Sequence, residues 1–197
     1  VSVRRSYVDS FINALVMEGS LTVVPAFGDG HIRYLKKRDN GFEKLWLVGS
    51  YDSLKLATAL PNGGDDDGRG TFDIMTSFGL LGYEIMRSLG GGWSLSITPN
   101  LLYATQDIKI VGNTIDIKNL YKRVYGEARK RLSKNAASYV GAEISHVQSK
   151  VAFNALVFDS SDPFFDVEEA EVLRLDKIFN NYKVAAWVQH DFELQSL

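Results

Sequence analysis

Cysteine is absent from the 197 residues, which excludes disulfide frameworks, thiolate nucleophiles and Cys-ligated zinc. No stretch approaches the ~20 consecutive apolar residues of a spanning helix. The opening VSVRRSYVDSF has two arginines but neither an apolar core nor a small-residue cleavage site, and predicts no signal peptide. Charge of one sign is also lacking. Lys and Arg total 22 against 24 for Asp and Glu. The first hundred residues hold 10 against 11, and the remainder 12 against 13. No bulk attraction to nucleic acid or anionic lipid follows from such a balance.

Reactive motifs are missing as well. Gly63 and Gly68 have phosphate-loop spacing, but Arg69 and Gly70 stand where Lys and Ser/Thr are required, and Asp65, Asp66 and Asp67 would repel a polyphosphate. Read as a calcium loop with Gly68 at its sixth position, the same segment has Gly63 first and Ile74 twelfth, neither a carboxylate. His31, His146 and His190 are widely separated, with no H-E-x-x-H and no G-x-S-x-G nearby. No catalytic, cofactor-binding or metal-binding residue is therefore assigned.

What remains is 45% hydrophobic, 12% aromatic and 23% charged sequence, the usage of a globular domain. Tyr7, Val8, Phe11, Ile12, Leu15 and Val16 share one face of a helix that Gly19 would end. Leu21–Ala26, His31–Lys37 and Lys44–Tyr51 read as strands separated by Gly28-Asp29-Gly30 and Asp39-Asn40-Gly41 turns. A short helix is expected from Asp52 or Ser53 to Leu60. A second follows Ser77, with Leu81, Ile85 and Leu89 at spacing four, stopped by Gly90-Gly91-Gly92.

Trp93, Leu95 and Ile97 alternate with Ser94, Ser96 and Thr98, a strand expected to break at Pro99. A connector covers 100–114, with a hairpin signal at Gly112-Asn113. A third helix follows Asp116, its apolar arc formed by Leu120, Tyr121, Val124, Tyr125, Ala128 and Leu132. Strands near Ser138–Val147 and Lys150–Asp159 come next, then a helix from Pro163 to about Asn181, and a last strand at Lys183–Leu194. The order predicts an α+β fold: two small lobes of mixed or antiparallel sheet with amphipathic helices packed on them. The lobes cover 1–100 and 113–197, the second running helix, strand, strand, helix, strand.

One charge feature is localised. Lys118, Lys122, Arg123, Arg129, Lys130 and Lys134 lie opposite the apolar arc when the third helix is drawn at ~100° per residue. This is a possible face for an anionic partner, RNA or lipid, or simply a solvated face. A membrane β-barrel is a further alternative, because Trp93–Ala104 and Ser138–Phe158 alternate as spanning strands do. Three amphipathic helices do not fit such a chain.

Phe11–Ala26 (FINALVMEGSLTVVPA), Trp46–Thr58 (WLVGSYDSLKLAT) and Met75–Asn100 resemble the SseB-like N-terminal domain of enhanced serine sensitivity proteins. The last signature departs from that pattern, with Thr98 before Pro99 and Asn100 after it. The resemblance implies a cytoplasmic α+β protein with a binding or regulatory role. Together these readings predict a non-enzymatic cytoplasmic adaptor acting through a protein–protein surface, without cofactor. A structural subunit of a larger assembly, a secretion or viral particle, and an anionic-partner binder are the alternatives. The oligomeric state is left open.

Overall fold

A computed structural model describes residues 1–5, 22–59, 69–110, 113–157 and 171–192. Eight strands follow one another along the chain: β1 (Ser2–Arg5), β2 (Thr22–Arg38), β3 (Gly41–Ala59), β4 (Arg69–Gly90), β5 (Trp93–Ile110), β6 (Asn113–Arg131), β7 (Ala136–Val157) and β8 (Glu171–Phe192). They form one sheet in the order β1-β2-β3-β4-β5-β6-β7-β8, every neighbour antiparallel. The described residues contain no helix, so the expected α+β fold of two lobes with packed helices is overturned.

Among the described residues, the two helices expected from apolar spacing share one physical origin. Apolar residues four apart lie on one side of a helix, but four is also a multiple of the strand's two-residue repeat. Leu81, Ile85 and Leu89 thus share a face of β4, where a helix was expected. Leu120, Val124 and Ala128 do the same on β6 in place of the third helix. The expected helix at 52–60 is the end of β3 as far as Ala59, and the part of the fourth expected helix from 171 onward is β8. The first expected helix, at 7–16, and the glycine-rich loop at 61–68 lie outside the described residues. The break expected at Pro99 does not occur. Pro99 withholds one ladder donor, and pairing with β4 resumes at Gly82 opposite Asn100.

At one end of the sheet every described link between long strands is short. Two residues separate β2 from β3 and β4 from β5, and four separate β6 from β7. At the other end, sixteen residues separate β1 from β2, nine separate β3 from β4, and thirteen separate β7 from β8; only β5 and β6 are two residues apart there. The β4–β5 reversal uses Gly90, Gly91 and Gly92 at φ of 81°, 57° and 81°, left-handed values that side chains resist.

A single sheet has no second layer to make a core. Among the described residues the one buried hydrophobic side chain is Ala137. Packing is instead lateral, between opposed residues of adjacent strands. Trp46 lies across Gly82, and Trp187 lies across Gly141, filling the space a Cβ would need; an added Cβ would sit 2.1 Å from each indole. Gly82→Ala and Gly141→Ala are each expected to destabilise the sheet by roughly 1–3 kcal/mol, the cost of overpacking. The urea midpoint, with near-UV circular dichroism reporting the displaced indole, checks this.

Candidate functional site

The register fixes which side chains share a face. Directly opposed antiparallel residues point the same way, so the β3 residues Leu45 and Leu47, Leu81 and Ile85 of β4, and Leu95, Ile97 and Leu101 of β5 stand on one side. Val124 and Ala128 of β6, Val140 and Ile144 of β7, and Val184 and Val188 of β8 continue that side. These are the exposed residues: Leu47, Leu101, Ile144 and Val184 show 47%, 42%, 56% and 77% of their surface. Along β5 from Trp93 to Leu101 each apolar residue is exposed, and each polar one between them is more covered. A water-facing sheet does the reverse.

The opposite face is hollow and polar over the same length. A groove of about 540 Å³ is walled by Ser94, Ser96, Thr98 and Asn100 of β5 on one side and by Arg123, Tyr125, Glu127 and Arg129 of β6 on the other. Its charges are mostly paired. Glu143 accepts from Arg123 at 2.6 Å and lies 3.7 Å from the Lys183 ammonium. Lys44 donates to Glu84 at 3.2 Å, and the Tyr125 hydroxyl donates to Glu127 at 2.5 Å. Tyr125 also stacks on Trp187 with centroids 5.0 Å apart. The Arg129 guanidinium sits 5.3 Å over the Tyr139 ring.

Nearer the long connections the polarity inverts. The outward side of β5 continues as Thr105, Asp107 and Lys109, while the groove side becomes Leu102, Ala104, Ile108 and Ile110. On β7 the outward side changes from Val140, Ala142 and Ile144 to His146, Gln148 and Lys150. The groove side there becomes Val147, Val151 and Phe153. β5 and β7 therefore each carry an outward apolar stretch near the short turns and an outward polar stretch beyond it.

On β5, aromatic rings mark the limits of the outward band. Trp93 and Tyr103 bracket Leu95, Ile97, Pro99 and Leu101. Trp93 is 39% and Tyr103 47% exposed. At ~3.3 Å per residue the two rings are about 33 Å apart along the strand, or about 25 Å along the axis of a barrel whose strands tilt by roughly 40°. At the turn end the Arg38, Glu43 and Arg87 side chains close the band, with Glu43 3.2 Å from Arg38 and 2.5 Å from Arg87.

The basic set is divided by strand alternation. Arg123 and Arg129 line the groove, Lys118, Lys122 and Lys130 face outward, and Lys134 lies in the β6–β7 turn. A single cationic helix face therefore does not exist. The three histidines do not converge either. His190 bonds Ser138 at 2.8 Å, His146 bonds Asn180 at 3.1 Å and stacks on Tyr182, and His31 lies on the other face of β2. Among the described residues no group of three or more His, Asp or Glu is placed to hold a metal ion, and no helix is long and apolar enough to cross a membrane.

Sequence reading had taken the Trp93–Ile97 alternation as a half-buried strand. Alternation alone shows neither the exposure of the apolar side nor the pairing of Glu143 with Arg123 and Lys183. The clue was present in the four short polar residues Ser94, Ser96, Thr98 and Asn100, set against bulky apolar partners. No protein family matches the sequence, and no curated protein matches it.

Beyond the band, Asp107 and Asp116 stand directly opposite one another. The Asp107 carboxyl is held above its ordinary value of 3.8, first by desolvation and then by the hydrogen bond and negative charge of Asp116. Below that ordinary value both folded and unfolded chains are protonated, and nothing is lost. As pH rises through the unfolded and then the folded value, the native state loses stability. Asp107→Asn is thus expected to stabilise the sheet by roughly 0.2–1 kcal/mol at pH 7. Urea titrations from pH 3 to pH 8, roughly spanning the carboxylate range, check that the gain disappears at the acid end.

Proposed function

We propose that this sheet is wall of a membrane-embedded β-barrel, with the apolar band against lipid and the polar groove lining a lumen. The observation that carries this reading is the outward band itself. Its apolar residues are exposed, on β5 it is bracketed by Trp93 and Tyr103, and at the strand tilt of a membrane barrel its height would be about 25 Å, the thickness such barrels present to a bilayer. A spanning strand needs only ~9–11 residues. The remaining length, where polarity inverts, would stand in water beyond the bilayer.

The described sheet is open, with β1 and β8 at its edges. Unpaired backbone groups are not tolerated in hydrocarbon, so the wall is completed by strands beyond these eight. The groove supports a role in passing or holding polar solutes. Its hydroxyl and amide column faces charges that are largely paired, which favours hydrogen-bonding solutes over ions of one sign. This reading takes the place of the cytoplasmic adaptor expected from the sequence, because an adaptor in water would leave the whole band uncovered. At ~25 cal/mol per Å² of apolar surface, such exposure is strongly unfavourable. The alternative of a subunit in a larger assembly survives in one respect, the unpaired edge of β8.

The three tryptophans provide the test, because Trp93 faces outward while Trp46 and Trp187 face the groove. Single-tryptophan variants refolded into vesicles of brominated phosphatidylcholine should show strong quenching of Trp93 and little of Trp46 or Trp187. Equal quenching of all three, or none of Trp93, rules the barrel wall out.

A further inference from the structure

The two rims of the outward band differ in how their cations are satisfied. At the turn end Arg38 and Arg87 are bound to Glu43, and the Lys130 ammonium lies 4.9 Å over the Trp93 ring. At the far rim Lys118 and Lys122 are exposed, and among the described residues neither has an acidic group within ion-pair distance. Lys118 stands directly opposite Lys150, and Lys122 opposite His146. Like charges in opposed positions repel. Lys150 does meet Asp176 at 3.0 Å, but with side chains 48% and 61% exposed that pair is weakly held.

Charge is ordered along the strands at this rim. From the band outward β6 reads Val124, Lys122, Leu120, Lys118 and then Asp116. Its neighbours on β5 read Leu101, Tyr103, Thr105 and then Asp107. Bases and the aromatic ring lie nearest the apolar band, and the acids lie one step further away. That is the order in which a bilayer presents hydrocarbon, glycerol and phosphate, then water.

We propose that Lys118, Lys122 and Lys150, at the rim of the outward band, bind the phosphate groups of anionic lipid headgroups. The proposal rests on the lipid-facing reading of the band and adds to it a preferred lipid class. The lysine stems lie along the apolar surface and carry their ammonium groups to the phosphate level. Phosphates placed there would relieve the Lys118–Lys150 opposition, which Asp176 offsets only through an exposed pair on the Lys150 side. Tyr103 and Tyr182 flank the cluster on the same face.

The test places a reporter at the rim, Tyr103→Trp in a Trp93→Phe background, in mixed vesicles of phosphatidylcholine and phosphatidylglycerol with either lipid brominated. Phosphatidylglycerol should quench more effectively than its mole fraction predicts, with a preference of about fivefold for each engaged lysine. The preference should fall towards parity in Lys118→Gln/Lys122→Gln/Lys150→Gln and at high salt. Inorganic phosphate at matched ionic strength should not compete. Equal quenching by the two lipids overturns the proposal while leaving the barrel wall standing, whereas quenching by neither overturns both. Loss of the preference to inorganic phosphate means a general anion site and also overturns it. If the triple variant fails to insert, Lys122→Gln alone and the salt dependence of the parent chain decide the outcome.

Discussion

The backbone ladder of a single antiparallel sheet is the constraint from which the other features follow. It pairs eight strands in sequence and sends alternate side chains to opposite faces, with no second layer to cover either. Stability then cannot come from a closed core. It comes from the ladder, from lateral contacts such as Trp46 over Gly82 and Trp187 over Gly141, and from whatever medium covers the apolar side. A band containing Leu47, Leu81, Leu101, Ile144 and Val184 on one continuous surface sets the nature of that medium. Water disfavours it in proportion to area, and hydrocarbon does not.

The inversion of polarity along the strands gives the sheet a second axis of organisation. Were the strands apolar outward over their full length, the band would exceed any bilayer. On β5 it stops at Tyr103, after which Thr105, Asp107 and Lys109 face outward, and Leu102, Ile108 and Ile110 turn to the concave side. Past the register shift at Ser88/Gly90 beside the β4–β5 turn the alternation does not slip; only the assignment of polar and apolar residues to its two phases changes. A one-residue register shift would exchange the faces and place Ser94, Ser96 and Thr98 where Trp93, Leu95 and Ile97 now stand. The outward band is therefore also what pins the register.

Part of this was legible in the sequence. The Trp93–Ile97 alternation and the Asp39-Asn40-Gly41 and Gly90-Gly91-Gly92 signals all coincide with features of the sheet. The helices did not survive, because spacing four satisfies both periods and Leu81–Ile85–Leu89 looks the same to either. Glycines were the discriminating residues. Gly79 and Gly82 in β4 and Gly126 in β6 are poor in helix interiors, yet in a sheet they accept a neighbouring ring or leave a gap beside Tyr103. The basic residues show the same ambiguity. At 100° per residue Lys122 and Arg123 are neighbours on an arc; at 180° they belong to opposite faces, one at the rim of the apolar band and the other in the groove. Which side of an alternating strand meets water is not encoded in the alternation at all, and so the exposure of Leu95 and the partial covering of Ser96 became apparent only with the sheet assembled.

The edge strand β8 ties these observations together. Soluble sheets protect their edges with short strands, prolines or charges directed at an approaching partner. β8 is 22 residues long and contains no proline. It keeps the sidedness of its neighbours: Val184, Ala186 and Val188 continue the outward band, and Lys183 reaches the Glu143–Arg123 pair on the groove side. A strand built only to terminate a sheet in water gains nothing from an apolar outward side opposite a charged inward one. A strand with another beside it gains both, because the apolar band and the polar groove face then each continue without interruption. The sidedness of β8 is that of an interior strand, and a wall that continues past it is the arrangement in which the unpaired ladder groups and the exposed band are satisfied by the same neighbour.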